Sequence, residues 1–370
     1  MNRKWIALTL ALVLAVSLAG CGVGGGSGLT LNVYNWGEYI SDGSEGSFDT
    51  VREFEAWYLE TYGQRVKVNY TTYASNEDMY SKLSSGAVSY DVIIPSDYMI
   101  ARMAEEGMLA PLNFENIPNY QYIDESFKGL YYDPENQYSI PYTYGIVGII
   151  YNANVVDGAD TGSWDLMWNE KYAGDILQYN NPRDAFGTAM YRLGLDVNST
   201  DPAVWEQARQ ALVEQKPLTD GFVMDEIFNM MEAGESAIGS YYAGDYFTMA
   251  DNQAKNVDLR FYYPERTNYY VDAMCIPACT QNKELAEIFI NYMLGEEAGV
   301  ANAEYTYYAS PNSLVYENEG YIADMGEDTM AILYPELGNF ADNYNQFAYR
   351  NMDQEMLGYL NDLWEIVKIN

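Results

Sequence analysis

Two hydrophobic periods alternate along this chain. Leu29, Leu31 and Val33 are interleaved with polar neighbours, and that period of two predicts a strand stopping at Asn35-Trp36-Gly37. Val51, Phe54, Tyr58 and Tyr62 recur three and four residues apart, which places them on one face of a helix closed by Gly63. Val66, Val68 and Tyr70 predict a second strand, Ser75 to Leu83 a capped helix, and Asp91 to Pro95 a short buried strand. The alternation restarts at Gly145 to Tyr151. It continues through a strand at Asp175 to Tyr179, helices near 185–193, 202–215 and 223–233, and a period-two strand at Val257, Leu259 and Phe261. Leu285, Ile288, Phe289 and Tyr292 give a further amphipathic helix, and Leu357, Leu360, Trp364 and Val367 a closing one. Strands alternating with helices predict an α/β fold, with a mostly parallel sheet covered by helices and ligand held at the carboxyl ends of strands.

The segment ahead of Leu29 follows neither period. Asn2-Arg3-Lys4 is followed by Trp5 to Ala19, apolar except for Thr9 and Ser17, so residues 1–20 are expected to be an export signal, too short to span a membrane. The signal ends in Leu18-Ala19-Gly20-Cys21, which resembles the lipobox of bacterial lipoproteins, and lipidation is expected at Cys21. Residues 21–28 then supply the lipidated cysteine and a Gly/Ser tether able to reach about 25 Å. The rest is too long for one compact core and suits two lobes. No Pro/Gly-rich linker separates them, which predicts more than one crossing: lobe 1 from 29–144 and 271–315, lobe 2 from 145–270 and 316–370.

Charge narrows the function. The formal net charge is −35, and removing Arg3 and Lys4 with the signal takes it to −37, which argues against a nucleic-acid partner. The chain contains no histidine, which excludes Ser-His-Asp and Cys-His catalysis and His-ligated metals. Cys275 and Cys279 lie four apart, close enough that a local bridge and two packed thiols both remain open. Neither a cofactor nor a metal is expected.

Aromatic and acidic residues recur together at the ends of the expected strands. Trp36-Gly37-Glu38-Tyr39, Ser96-Asp97-Tyr98 and Arg183-Asp184-Ala185-Phe186 each follow a strand. Tyr241-Tyr242-Ala243-Gly244-Asp245 follows the strand around Ile238, and Tyr269-Tyr270-Val271-Asp272 precedes an apolar run. An alkyl ammonium suits such company, because carboxylates accept its charged hydrogen bonds and ring faces take its methylenes and its charge. With 37 tyrosines, any one such pair is as readily a packing residue beside a surface acid, so the order of the whole set carries the argument.

In that order the segments resemble the spermidine- and putrescine-binding proteins of bacterial ABC importers. Tyr34-Asn35-Trp36-Gly37-Glu38-Tyr39 is similar to the opening motif of that family, and Tyr73-Ala74-Ser75-Asn76-Glu77-Asp78-Met79-Tyr80-Ser81-Lys82-Leu83 to its first-lobe helix signature. Asp91 to Tyr98, Ser139-Ile140-Pro141-Tyr142, Tyr242-Ala243-Gly244-Asp245, Tyr270-Val271-Asp272 and Tyr308-Ala309-Ser310-Pro311-Asn312 resemble its later motifs. The resemblance implies a type II periplasmic-binding-protein fold, two α/β lobes closing on ligand by a hinge, with no chemistry performed. It further implies that Trp36, Tyr242 and Tyr270 line an alkyl chain while Tyr39, Ser96, Tyr98 and Tyr308 add aromatic and hydroxyl contacts. Asp272 would hold one amino end, with Glu38, Asp184 and Asp245 as further ammonium partners. A monomeric receptor is implied, held outside the cell membrane by lipid or free in a periplasm, and passing putrescine or spermidine to its permease.

The sequence departs from the family at several places. Asn181 stands where spermidine-type members carry Asp, Asp184 where Glu is usual, and Tyr242 and Tyr270 where Trp is common, while Asp245 matches the putrescine type. Arg350 falls approximately where spermidine-type members have Gln, and a cation there would oppose a polyamine. Two other readings use the same residues. Aromatic cages also bind quaternary ammonium groups, and sugars stack on rings, but choline needs fewer acids and a sugar gains nothing from their charge. An exported glycosidase could use Asp245 and Asp272 as its carboxylate pair, with only the acids in its favour.

Overall fold

The computed structural model of the protein describes residues 28–369. The expected export signal and Cys21 lie outside them. Nine strands run in chain order: β1 Leu29–Trp36, β2 Val66–Tyr73, β3 Val92–Ile93, β4 Ser139–Asn152, β5 Ile176–Tyr179, β6 Thr219–Val223, β7 Ile238–Tyr242, β8 Leu259–Tyr262 and β9 Tyr269–Cys275. The helices of lobe 1's first half are α1 Thr50–Tyr62, α2 Asn76–Ser84 and α3 Asp97–Glu105. Then come α4 Pro182–Leu193, α5 Pro202–Gln215, α6 Glu226–Ala233, α7 Ala243–Asn252, α8 Lys283–Met293 and α9 Glu296–Thr306. Short helices α10 Ser313–Tyr316, α11 Glu319–Met325, α12 Glu327–Leu333 and α13 Phe340–Phe347 precede the closing α14 Gln354–Ile369.

The strands pair in the order β2-β1-β3-β9-β4-β7-β5-β6, with β8 on β4. At each end the pairing is parallel, β1 with β2 and β3, and β5 with β6 and β7. In the middle β9 and β4 pair antiparallel with each other and with β3 and β7 respectively, and β4 with β8 likewise. The expected mostly parallel sheet is therefore corrected to an even mixture. The reason is connectivity: β4 and β9 carry the chain out of one lobe and back, so they run against each other.

Each half buries its own core, the first around Leu31, Phe54, Ile93 and Phe289, the second around Ile176, Phe186, Trp205 and Trp364. The chain leaves the first core between Ile146 and Val147 inside β4, returns between Leu259 and Tyr269, and crosses again between Ala348 and Tyr349. The last crossing corrects the lobe boundary expected at 316. Leu333, Tyr344 and Ala348 pack in the first core, and the Tyr344 hydroxyl donates to buried Asp97 at 2.7 Å, which ties α13 to lobe 1. Cys275, buried in β9, and exposed Cys279 are both free thiols, so no bridge joins them. Among the described residues no helix is long and apolar enough to cross a membrane.

Candidate functional site

Parallel strands end on a common edge, and this brings side chains of the two lobes into contact, as Tyr242 with Tyr270 and Asp245 with Tyr308. Trp36 and Tyr73 are register partners at the last positions of β1 and β2, and their rings lie 4.7 Å apart. The chain leaving β3 reaches Ser96, which forms an antiparallel bridge with Asp272 of β9. In lobe 2, β5 and β7 end at Tyr179 and Tyr242, and the helices that follow carry Asp184 and Asp245 in their first turns. Helix α4 starts where it does because Asn181 Oδ1 accepts the Arg183 N–H at 2.9 Å and Pro182 occupies the first helical position. Asn181 is thereby used as a cap.

Asp272 lies at the centre, 5% exposed. Its Oδ2 accepts the Tyr39 hydroxyl at 2.6 Å, and since that proton is committed, Thr143, 2.7 Å away, donates to the Tyr39 oxygen. Asp272 Oδ1 is buried without a hydrogen-bond partner, as are Tyr270 Oη and Trp36 Nε1. Buried polar atoms left without a partner are costly unless a ligand answers them.

Rings build the walls. Tyr242 and Tyr270 meet nearly edge to face at 5.4 Å, and Tyr39 and Tyr308 do the same at 4.9 Å. Tyr270 occupies its place only because residue 145 is glycine: a Cβ there would stand 2.2 Å from the Tyr270 oxygen. The Tyr242 hydroxyl reaches Asp184 Oδ2 at 3.4 Å, and the Tyr308 hydroxyl donates to Asp245 Oδ2 at 3.0 Å. Tyr98 donates to Glu77 Oε1 at 3.0 Å.

Burial sets the electrostatics. It pushes the Asp184 carboxyl up to about 7, with Arg183 opposing and Glu77 adding to the shift. Asp245 is pushed to about 7 in the same way, against the Tyr308 hydrogen bond. For Asp272 burial outweighs the hydrogen bonds from Ser96 and Tyr39, and the carboxyl rises to about 6. Carboxylates withdrawn from water favour their neutral form until a cation with N–H donors replaces the lost hydration.

The structure thus brings Tyr39, Asp272 and Ser96 together, joins Tyr308 to Asp245, and sets Tyr242 between Asp184 and Tyr270. Trp36 joins through Tyr73. Glu38 stands apart at the rim, exposed and with a left-handed backbone (φ 50°). Arg350 is exposed and lines a cleft of about 1110 Å³ whose walls include none of the expected ligand residues. Sequence reasoning passed over Thr143, one residue beyond the quoted Ser139 to Tyr142 segment, and Glu77 and Asn76, which lie inside the quoted helix signature. Asp97, quoted in its strand-end segment but given no role there, is a buried carboxylate that accepts from Val271 N at 3.2 Å as well as from Tyr344.

Known proteins resemble this chain in sequence and fold. Residues 50–326 match the profile of the bacterial extracellular solute-binding protein family. The chain is 33% identical over 286 residues to the spermidine/putrescine-binding periplasmic protein of Escherichia coli K12, covering 76% of this chain and 78% of that protein. It is also 33% identical over 271 residues to spermidine/putrescine-binding periplasmic protein 1 of Haemophilus influenzae, covering 72% and 71%. Among solved structures, the spermidine/putrescine ABC transporter substrate-binding protein PotD of Streptococcus pneumoniae superposes with a TM-score of 0.76 at 32% identity, covering 92% of this chain and 99% of that one. With two lobes, crossover strands between them and this extent of similarity, the chain belongs to the bacterial extracellular solute-binding protein family.

Proposed function

We propose that this protein is the substrate-binding component of an ABC importer and captures polyamines, putrescine and spermidine, between its lobes. The observation that carries the reading is the set of three carboxylates, buried Asp272 from lobe 1 and buried Asp184 and half-buried Asp245 from lobe 2, among tyrosines. A sugar would leave that charge unanswered, whereas an alkyl diamine supplies an ammonium at each end and methylenes for the rings between. The aromatic faces contribute about 0.5–2 kcal/mol each once water is excluded. The names of the relatives support the same ligand class.

The protein works by binding and release, and the carboxylates serve as acceptors without catalysing a reaction. It acts outside the cytoplasm as a monomer, tethered through lipidated Cys21, and hands its cargo to the membrane-spanning subunits. Isothermal titration of the chain from Gly22 onward with putrescine, spermidine, choline and simple sugars tests this. Micromolar or tighter binding of a polyamine, with no response to choline or sugars, is the expected result; tight binding of a sugar in place of polyamines refutes it.

A further inference from the structure

Asp97 is 2% exposed, and its carboxylate accepts from three donors. Oδ1 takes the Tyr98 N–H at the start of α3, at 2.6 Å. Oδ2 takes the N–H of Val271 in β9 at 3.2 Å and the hydroxyl of Tyr344 in α13 at 2.7 Å. A buried polar group paired in this way fixes the elements it joins.

The bond to Val271 completes a strand edge. β3 is two residues long and pairs with β9 at Ile93 and Cys275. Beyond β3 the chain still follows β9: the Pro95 carbonyl accepts the Ala273 N–H at 3.1 Å, and Ser96 bridges Asp272. Alternate amides of a strand face the same edge, so Val271 comes next after Ala273. By then α3 has begun, and a helix turns its carbonyls along its own axis. The Asp97 side chain takes the place of the next ladder carbonyl.

Val271 separates Tyr270 from Asp272, and strand alternation sends those two side chains to one face and the buried Val271 to the other. Tyr270 Oη and Asp272 Oδ1 are both buried without a partner, so where they point depends on how the backbone at 271 is held. On one side β4 holds it, pairing Thr143 with Asp272 and Gly145 with Tyr270. On the other side the anchor is Asp97. Tyr344 backs that anchor: its ring stacks on Tyr131 at 5.8 Å, and the Tyr131 hydroxyl donates to the Tyr349 carbonyl at the last crossing between lobes.

We propose that Asp97 is a positioning residue for ligand capture, its carboxylate completing the β9 edge at Val271 so that Tyr270 and Asp272 present their unpaired oxygens to an ammonium. The inference rests on the polyamine reading above.

Titration of wild type, Asp97→Asn, Asp272→Asn and the double variant with putrescine, together with amide hydrogen exchange at Val271, tests it. Asparagine offers one acceptor where two are in use, so Val271 or Tyr98 loses its partner. In Asp97→Asn, exchange at Val271 should quicken and putrescine affinity fall, each about tenfold, as for the loss of a charged hydrogen bond. In the Asp272→Asn background the same substitution should cost less than about threefold, because the group it positions has already lost its charge. Tyr344→Phe keeps the ring on Tyr131 and deletes one support of Asp97, and should weaken putrescine about threefold even if Asp97→Asn fails to fold. Equal costs in the two backgrounds, unchanged exchange at Val271 in Asp97→Asn, or wild-type affinity in Tyr344→Phe would overturn the positioning role alone. A wild type that binds no polyamine would overturn the polyamine reading and this role with it.

Discussion

Tyr308 of lobe 1 donates its hydroxyl to Asp245 of lobe 2 at 3.0 Å while its ring meets the edge of Tyr39, whose own hydroxyl is bound to Asp272. A carboxylate of one lobe is thereby connected to a carboxylate of the other through two phenols. A hydrogen bond to a charged acceptor contributes about 1.5–3 kcal/mol. Tyr308→Phe keeps the ring contact and deletes the bond, so polyamine affinity should fall about tenfold, mostly through faster release. Stopped-flow tryptophan fluorescence measures both rates, and a release rate equal to wild type would show that the bond does not hold the lobes together.

Gly244 approaches the same loop from lobe 2. A Cβ on it would lie 2.7 Å from the carbonyl oxygen of Tyr307, which is already in the left-handed region at φ 55° and has little freedom to retreat. Gly244→Ala should therefore block full closure while leaving both cores intact. The expected result is a loss of affinity of tenfold or more, an unchanged melting temperature without ligand, and small-angle scattering that stays at the open radius when polyamine is added. Wild-type compaction in the variant would remove this contact as a stop.

Asp272→Asn removes the central charge and preserves shape. The asparagine oxygen can still accept from Tyr39, and the second position changes from an orphaned acceptor to a donor. An ammonium has nothing to bond there, so affinity should drop at least tenfold, about 1.4 kcal/mol or more. Without ligand at pH 8 the variant should melt no lower than wild type, since a buried carboxyl has been made neutral. Calorimetry and a melting curve on the same preparation separate the two effects.

The strand ends and their acids were readable in the sequence because each is local. A period of two ends at Trp36, and Ser75 is a cap with its helix behind it, whereas the helix expected near 185–193 begins earlier, at Pro182. Glu77 and Thr143 were not singled out, since each meets a partner distant in sequence, Thr143 the Tyr39 hydroxyl and Glu77 that of Tyr98. The segment 316–348 was assigned to the wrong lobe for the same kind of reason. Its short helices show no long apolar stripe, and its side is decided by single contacts such as Tyr344 on Asp97.

The carboxylates also predict how binding responds to pH. Asp184, Asp245 and Asp272 have folded values of about 7, 7 and 6, all above the ordinary carboxylate value of about 3.9. A group raised on folding holds its proton more tightly in the native state, so its contribution to stability is complete below about pH 4 and is lost as pH rises through 6 to 7. The ligand-free protein should accordingly melt higher at about pH 5 than at about pH 8. Polyamine reverses the preference, because its ammonium groups bind the ionised carboxylates and expel their protons. Affinity should rise at least tenfold from about pH 5 to pH 8, and titration near pH 6.5 in buffers of different ionisation enthalpy should show net proton release. Affinity independent of pH across this interval would mean that the ammonium groups lie elsewhere, since no cation can join three half-protonated acids without displacing what they carry.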